Sequence, residues 1–341
     1  MLAFVTGATG FLGSHVARVL SAQGAELRLL VRSTSNLKNL EGLRAETTTG
    51  DLRDPASLDR ALAGVERVYH VAADYRLWAR NPREIYESNV TGTRNLLAAA
   101  RRAGVARMVY TSTVATIAVP RGSSLPDERT EARLTDMVGA YKRSKFLAEQ
   151  EVLAAAREGL PVVIVNPTTP VGPGDWKPTP TGKIIVDFLN GRMPAYVDTG
   201  LNFVAVEDAA AGHLLAAERG QVGERYLLGG ENLSLRELLD ALAQVSGRPA
   251  PRFRVPLALA FAAACAETFV ARLSGREPQI PIDGVRIARH NMFVDCGKAA
   301  RDLGFSAGPV APALGRAVRW YEDNGYVAET RAERLERAHA A

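Results

Sequence analysis

The stretch LAFVTGATGFLGS, residues 2–14, decides how the rest of the chain is read. Leu2, Ala3, Phe4 and Val5 form a short apolar run, and glycines follow at Gly7, Gly10 and Gly13. Beyond them Phe11, Leu12, Val16, Val19 and Leu20 recur at helical spacing. A strand, a glycine-rich turn and a helix are therefore predicted in that order. Each glycine has a task in such a unit. Gly7 permits the tight turn, Gly10 lets a pyrophosphate approach the backbone, and Gly13 lets the helix sit close on the strand. The helix start, with Thr9, Phe11 and Leu12 around it, offers unpaired N–H groups and a positive dipole end to phosphate oxygens.

Outward from this unit, strands and helices alternate. Strands are predicted at 26–31, 45–48, 65–72, 107–111 and 162–165. Helices are predicted from Pro55, behind Asp54 as N-cap, to 63, and at 84–104 and 139–158. With right-handed crossovers this makes an α/β fold, a Rossmann-type doubly wound parallel sheet with its ligand crevice at the C-terminal strand ends. The expected division is a dinucleotide-binding domain at 1–166, with 203–219 returning to it, and a smaller C-terminal substrate-binding lobe at 167–202 and 220–325. Residues 326–341 read as a tail, its charged end 329–341 as a frayed surface helix.

The 341 residues are 47% hydrophobic and 23% charged, with a net charge of +5 and a pI near 9.3. The arginines are scattered and not gathered into a basic stripe, so no nucleic-acid partner is expected and anionic ligands are favoured. Cys265 and Cys296 have no metal-ligand spacing, and neither a metal nor a disulfide is expected. No charged and apolar leader precedes the first strand and no apolar run is long enough to span a bilayer, which points to a cytoplasmic protein. One segment is unusual: VPLALAFAAACAETFV, residues 255–270, is apolar on every face until Glu267. It reads as core or subunit interface. The alternative is a greasy entrance to the crevice or a peripheral membrane contact.

Chemistry is suggested in two places. Tyr141 and Lys145 stand four residues apart and share a helix face, where an ammonium would make a phenol easier to ionise. The strand at 107–111 runs out in Tyr110, Thr111, Ser112 and Thr113, hydroxyls placed at the sheet edge where a substrate carbonyl could be bound. Asp74, Tyr75 and Trp78 follow another strand, on a loop that would overhang the pocket. His70 and His213 read as structural histidines.

TGATGFLG, the cluster Thr111 to Thr113 and YKRSK together resemble the extended short-chain dehydrogenase/reductases, from the N-terminus to about Asp208. The resemblance implies Thr113 as the catalytic hydroxyl, Tyr141 as acid and base, and Lys145 as the group that lowers its pKa and binds the nicotinamide ribose. It places Asp51 and Leu52 at the adenine, Ala72 and Ala73 near the ribose, Asn89 as a brace, and Pro167 and Thr168 at the nicotinamide amide. Asp74, Trp78, Ser112, Thr169 and Asn202 are the substrate-side candidates, and a homodimer through the Asn89 and Tyr141 helices is usual.

Departures narrow the reaction. Val114 and Ala115 stand where dehydratases carry an Asp-Glu pair, and Leu201, Asn202 and Phe203 stand where an epimerase would place an arginine for a nucleotide diphosphate. Pro167 to Pro173 resembles dihydroflavonol-4-reductase-like enzymes. HVAADYRLWAR, YKRSKFLAEQEVL, VGPGDWKPTPTG and IIVDFLNGRMPAYVDTGLN are similar to the hopanoid-associated sugar epimerases. The expectation is an oxidoreductase acting on a hydroxyl or carbonyl of a sugar-like or polyol group, small or lipid-linked, with sugar epimerisation as the alternative. Val31 ends the second strand where NAD-using relatives carry an acid, and Arg32 follows, so NADP(H) is favoured and NAD(H) is the other option.

Overall fold

In the computed structural model, which describes residues 1–117, 124–274, 278 and 281–328, chain order and sheet order separate at the first strand. β1 (Leu2–Thr6) leads through the glycine turn to α1 (Phe11–Ala22), and β2 (Glu26–Val31) and β3 (Glu46–Thr49) add on one side. After α2 (Pro55–Ala61), β4 (Arg67–His70) returns to the other side of β1. Next come α3 (Arg83–Tyr86), α4 (Gly92–Ala103), β5 (Arg107–Thr111), α5 (Gly139–Arg157) and β6 (Val162–Pro167). The sheet is seven-stranded and parallel, and a later strand, 225–228, forms its edge beside β6. Chain direction across the sheet reverses between β1 and β4, which opens a crevice above their C-terminal ends. The fold is the Rossmann-like one expected.

Buried apolar side chains cover both sheet faces. Val16, Ala17 and Leu20 of α1 pack on one face, and Leu96 and Ala100 of α4 with Ala148 and Val152 of α5 pack on the other. Asp54 caps α2 by accepting from the Ala56 N–H. The helix predicted over 84–104 is not regular. Between α3 and α4 the chain makes a wide π turn (Glu87–Thr91), which carries Asn89 into the interior.

Beyond β6, a small sheet joins β7 (Thr169–Val171), β9 (Gly200–Ala205) and β11 (Glu231–Ser234). The remaining elements beyond β6, in chain order, are α6 (Pro180–Leu189), β8 (Ala195–Tyr196), α7 (Val206–Arg219), β10 (Arg225–Leu228), α8 (Leu235–Ser246), β12 (Phe253–Arg254), α9 (Leu257–Ser274), α10 (Ile282–Ile287), α11 (Gly297–Leu303) and α12 (Val310–Asp323). A separate core of Ile185, Phe188, Leu238, Leu242, Leu314 and Val318 holds the lobe together.

The chain crosses between lobes at other points than expected. Phe203 to Ala205 belong to the small sheet, and only α7 packs on the main domain, against α1. Arg225 to Leu228, expected in the second lobe, are the edge strand of the main sheet, because a parallel partner for β6 needs the α7 crossover first. Helix α9 is not core, since Leu259, Phe261, Phe269, Val270 and Leu273 are all exposed. The expected frayed helix at 329–341 lies outside the described residues.

Gly7 and Gly13 are fixed by contact. Gly7 has φ +76° and a Cβ there would meet the Ala72 nitrogen at 2.6 Å, while a Cβ on Gly13 would meet the Gly7 carbonyl oxygen at 2.1 Å. Gly13→Ala should therefore destabilise the protein by about 1–3 kcal/mol through overpacking against backbone. Gly315→Ala in α12, whose new methyl would face only the flexible Arg319 side chain at 3.7 Å, should stabilise it by about 0.5–1 kcal/mol. Urea midpoints of the two variants check this pair.

Candidate active site

The crevice floor is the turn after β1. Gly10 is the N-cap of α1, no side chain caps the helix start, and no acidic residue lies in its first turn. The first turn therefore presents backbone N–H groups and a positive dipole end, in a cradle whose sides a Cβ at Gly7 or Gly13 would fill. This fits a dinucleotide pyrophosphate. Asn39 ties the cradle to the second lobe, its amide donating to the Thr9 carbonyl at 3.2 Å and to the Gly174 carbonyl at 3.0 Å. His15 meets the Pro173 carbonyl at 2.9 Å. Neither residue was singled out in the sequence, since a long-range tie leaves no local pattern.

The opposite wall is the seam between β5 and α5. Tyr141, Lys145 and Glu149, each four residues on from the last, lie on one face of α5 turned toward the polar end of β5. Thr113 lies close enough to the Tyr141 phenol to pull its pKa down, but burial pushes it above its usual value, the stronger of the two influences. Lys145 takes a different place from the one expected. Its ammonium donates to the Tyr110 hydroxyl at 3.0 Å and the Thr111 carbonyl at 2.8 Å, and sits over the Tyr110 ring. Burial brings its pKa down to about 7, against the opposing pull of Glu149. The expected lowering of Tyr141 by Lys145 is thus replaced by desolvation of both groups, and Tyr141 stands as a neutral phenol.

Glu149, fully buried, anchors the seam. It accepts from Ser112, from Thr116 at 3.0 Å and from Asn166 at 3.0 Å, and Arg225 approaches at 3.4 Å to balance its charge. Asn166 also donates to the Thr113 carbonyl at 3.1 Å, so this network sets the backbone that carries the hydroxyl. Glu149 and Asn166 were missed in the sequence, and Tyr110, read there as an edge hydroxyl, is the partner of Lys145. For Glu149 a signal was present, its position two turns after Tyr141 on the same face.

The remaining candidates fall into two groups. Asn89 donates to the Asp74 carbonyl and the Ser144 hydroxyl, both at 2.9 Å, and accepts from the Asp74 N–H at 2.7 Å, fastening the 71–81 loop to α5. Ala72 and Ala73 follow β4, and Ala72 lies beside Gly7 and donates its N–H to the Thr6 hydroxyl. Pro167 and Thr168 close β6, with the Thr168 N–H on the Leu228 carbonyl, and Thr169 begins β7, half-buried. Leu52 packs beside Gly92, and Arg32 is exposed at the end of β2, its charge felt by Asp51.

Four substrate-side or adenine-side candidates are engaged elsewhere. Ser112 is committed to Glu149. Asn202 spends its amide on Gly230 and Asn232, as a brace for the β10–β11 turn. The Asp74 carboxylate is held by Arg76 at 2.6 Å, and that of Asp51 by Arg53 at 2.7 Å. Trp78 is half-buried on the 71–81 loop, where Tyr75 reaches the Lys177 carbonyl at 3.2 Å. His70 is held between Thr6 and Thr93, and His213 between Thr111 and the Ala209 carbonyl; burial lowers their pKa values to about 3 and about 4. Among the described residues no cluster of His, Cys, Asp and Glu could hold a metal ion. A cavity of about 420 Å³ beside the outer face of α5, lined by Glu128, Arg133, Phe146, Gln150, Arg225 and Lys298, is distinct from the crevice.

Residues 3–229 match the profile of the NAD dependent epimerase/dehydratase family. The chain belongs to this family. Among its relatives is a Synechocystis protein with the provisional name dihydroflavonol 4-reductase, 47% identical over 95% of each chain. Sterol demethylase protein B of Methylococcus capsulatus is 37% identical over 96% of this chain and all of that one. Among solved structures, a nucleoside-diphosphate-sugar epimerase from Pseudomonas aeruginosa superposes with a TM-score of 0.80, at 32% identity, covering 96% of this chain and 99% of that one. The extended short-chain architecture and a nicotinamide-dependent oxidoreductase or epimerase follow from family membership.

Within this family member the pKa of Lys145 makes a measurable prediction. The group is protonated in the unfolded chain up to about pH 10.4 but, folded, only up to about pH 7. Its contribution is fully present above the unfolded value and is lost as pH falls toward 7. Wild type should therefore gain stability relative to Lys145→Met as pH rises from about 7 to about 10. Denaturation of both proteins across that range checks it, and a difference that does not change with pH contradicts it.

Proposed function

We propose that the protein is an NADP(H)-dependent reductase or dehydrogenase acting at a secondary carbonyl or hydroxyl. One observation supports the reading: Tyr141, a phenol that burial keeps neutral, and Thr113, close enough to influence it, stand on the α5–β5 seam of a fold whose first turn is an uncapped glycine cradle. When bound, the nicotinamide supplies or accepts the hydride. Gly7 to Gly13 would hold its pyrophosphate, and Ala72, Ala73, Lys145, Pro167 and Thr168 would line the rest of it. In the reducing direction Thr113 orients the substrate carbonyl and the Tyr141 hydroxyl gives its proton to the carbonyl oxygen. Lys145, one turn along, keeps its ammonium on Tyr110 and the Thr111 carbonyl and so holds the seam against which Tyr141 is set.

The substrate proposed is a sugar-like or polyol head carried on a polycyclic lipid such as a hopanoid. Support comes from the sequence likeness to hopanoid-associated proteins and from a relative whose name places it on sterols. Epimerisation is the second reading, favoured by the solved epimerase that this chain resembles. Against it stand Leu201, Asn202 and Phe203, with Asn202 already engaged in the fold.

Tyr141→Phe should lower kcat by about 10²–10⁴-fold while leaving cofactor binding close to wild type, since it removes one proton and almost no volume. Steady-state rates with a cofactor titration check this, and retention of more than a few per cent of kcat contradicts it. Arg32→Ala should reduce the preference in kcat/KM for NADPH over NADH by about tenfold or more, the loss of one charged contact to a 2′-phosphate. An unchanged ratio would remove Arg32 from the cofactor site.

A further inference from the structure

Helix α9 is built the opposite way to a core-facing helix. The positions of the helix that are fully buried are small, Ala264 and Ala271, with Leu257, Ala260, Glu267 and Thr268 half-buried around them. Its large residues face outward, with Leu259 63%, Phe269 66%, Val270 60% and Leu273 74% exposed and Phe261 beside them. Residues 259, 263, 266, 270 and 273 follow one another at spacings of four and three, so they form a continuous stripe. No charge interrupts Leu257 to Ala266, and just before the helix Phe253 of β12 is exposed as well. An outward apolar surface of this kind marks a contact.

We propose that α9 docks on the surface of an anionic lipid bilayer, lying in the interface plane with Leu259, Phe269 and Leu273 among the acyl chains. Charge selects this occupant. The segment that leads into the helix, residues 251–256, carries Arg252 and Arg254 and no acidic residue. Arg252 and Arg254 stand exposed on either side of Phe253. Arg254 meets Asp198 at 3.0 Å, but both partners are largely in water and the pair is weak. Arginines and aromatic rings beside an apolar stripe match a headgroup layer above acyl chains. Among the described residues no helix is long and apolar enough to cross a membrane, so the contact is parallel to the surface.

The place of α9 gives the contact a purpose. Helix α10 packs on α9 and sets the Asp283 carboxylate against Gly139, two residues before Tyr141. Gly284 of the same helix lies beside Leu77 of the 71–81 loop. A bilayer under α9 is thus one helix away from the crevice wall. The docking goes beyond the substrate reading and stands on α9 alone.

The test is co-sedimentation of the full-length protein with vesicles of phosphatidylcholine, with and without phosphatidylglycerol. Binding to the anionic vesicles is expected, with at least about a tenfold loss in the Phe269→Ser/Leu273→Ser variant and a marked fall as salt is raised. The same variant should keep its affinity for the reduced cofactor, showing that it is folded. Tyr141→Phe should bind vesicles as wild type does, so that this proposal and the catalytic reading fail separately. Wild type left in the supernatant with both vesicles overturns the proposal. So does a light-scattering mass showing a dimer that Phe269→Ser/Leu273→Ser returns to monomer without any vesicle binding, which would assign the stripe to a second copy.

Discussion

The site depends on one buried seam, where α5 presses Tyr141, Lys145 and Glu149 into the polar end of β5. An ammonium and a carboxylate are both taken out of water there, each at a cost of several kcal/mol unless its bonds are met. Lys145 meets Tyr110 and the Thr111 carbonyl, and Glu149 meets Ser112, Thr116, Asn166 and Arg225. These bonds fix the rise and rotation of the helix against the strand, and so fix Tyr141 opposite Thr113. Neighbouring elements are fastened to the same helix: Asn89 joins the 71–81 loop to Ser144, and Asp283 brings α10 to Gly139.

Much of the fold was legible because it rests on local rules. Glycines at Gly7, Gly10 and Gly13 between an apolar run and a helical period can make little else, and Asp54 with Pro55 announces a helix start. The six strands β1 to β6 of the parallel sheet follow from alternation and handedness alone. Misplaced lobe boundaries have a different origin. Nothing in the sequence of residues 225–228 tells an edge strand of the main sheet from a strand of the small one, because the distinction lies in which partner the α7 crossover brings near.

The three residues proposed for catalysis stood out equally, since Tyr141 and Lys145 share a helix face and Thr113 closely follows a strand. Partner choice was not. Whether Lys145 turns to Tyr141 or to Tyr110 depends on distances across the seam, and whether Ser112 or Asn202 is free for a ligand depends on long-range acceptors such as Glu149 and Gly230. Helix α9 is the reverse case. Its composition declared it anomalous at once, but only the structure tells which side is turned outward, and it is the side with the large residues.

The central claim is that hydride leaves or reaches the nicotinamide while Tyr141 moves the proton, with net change in the cofactor. The most direct measurement follows deuterium carried at the transferable position of NADPH during turnover of a ketone. The account predicts one deuterium on the product carbinol carbon for each NADPH oxidised. Product without deuterium and with no net consumption of cofactor would contradict it.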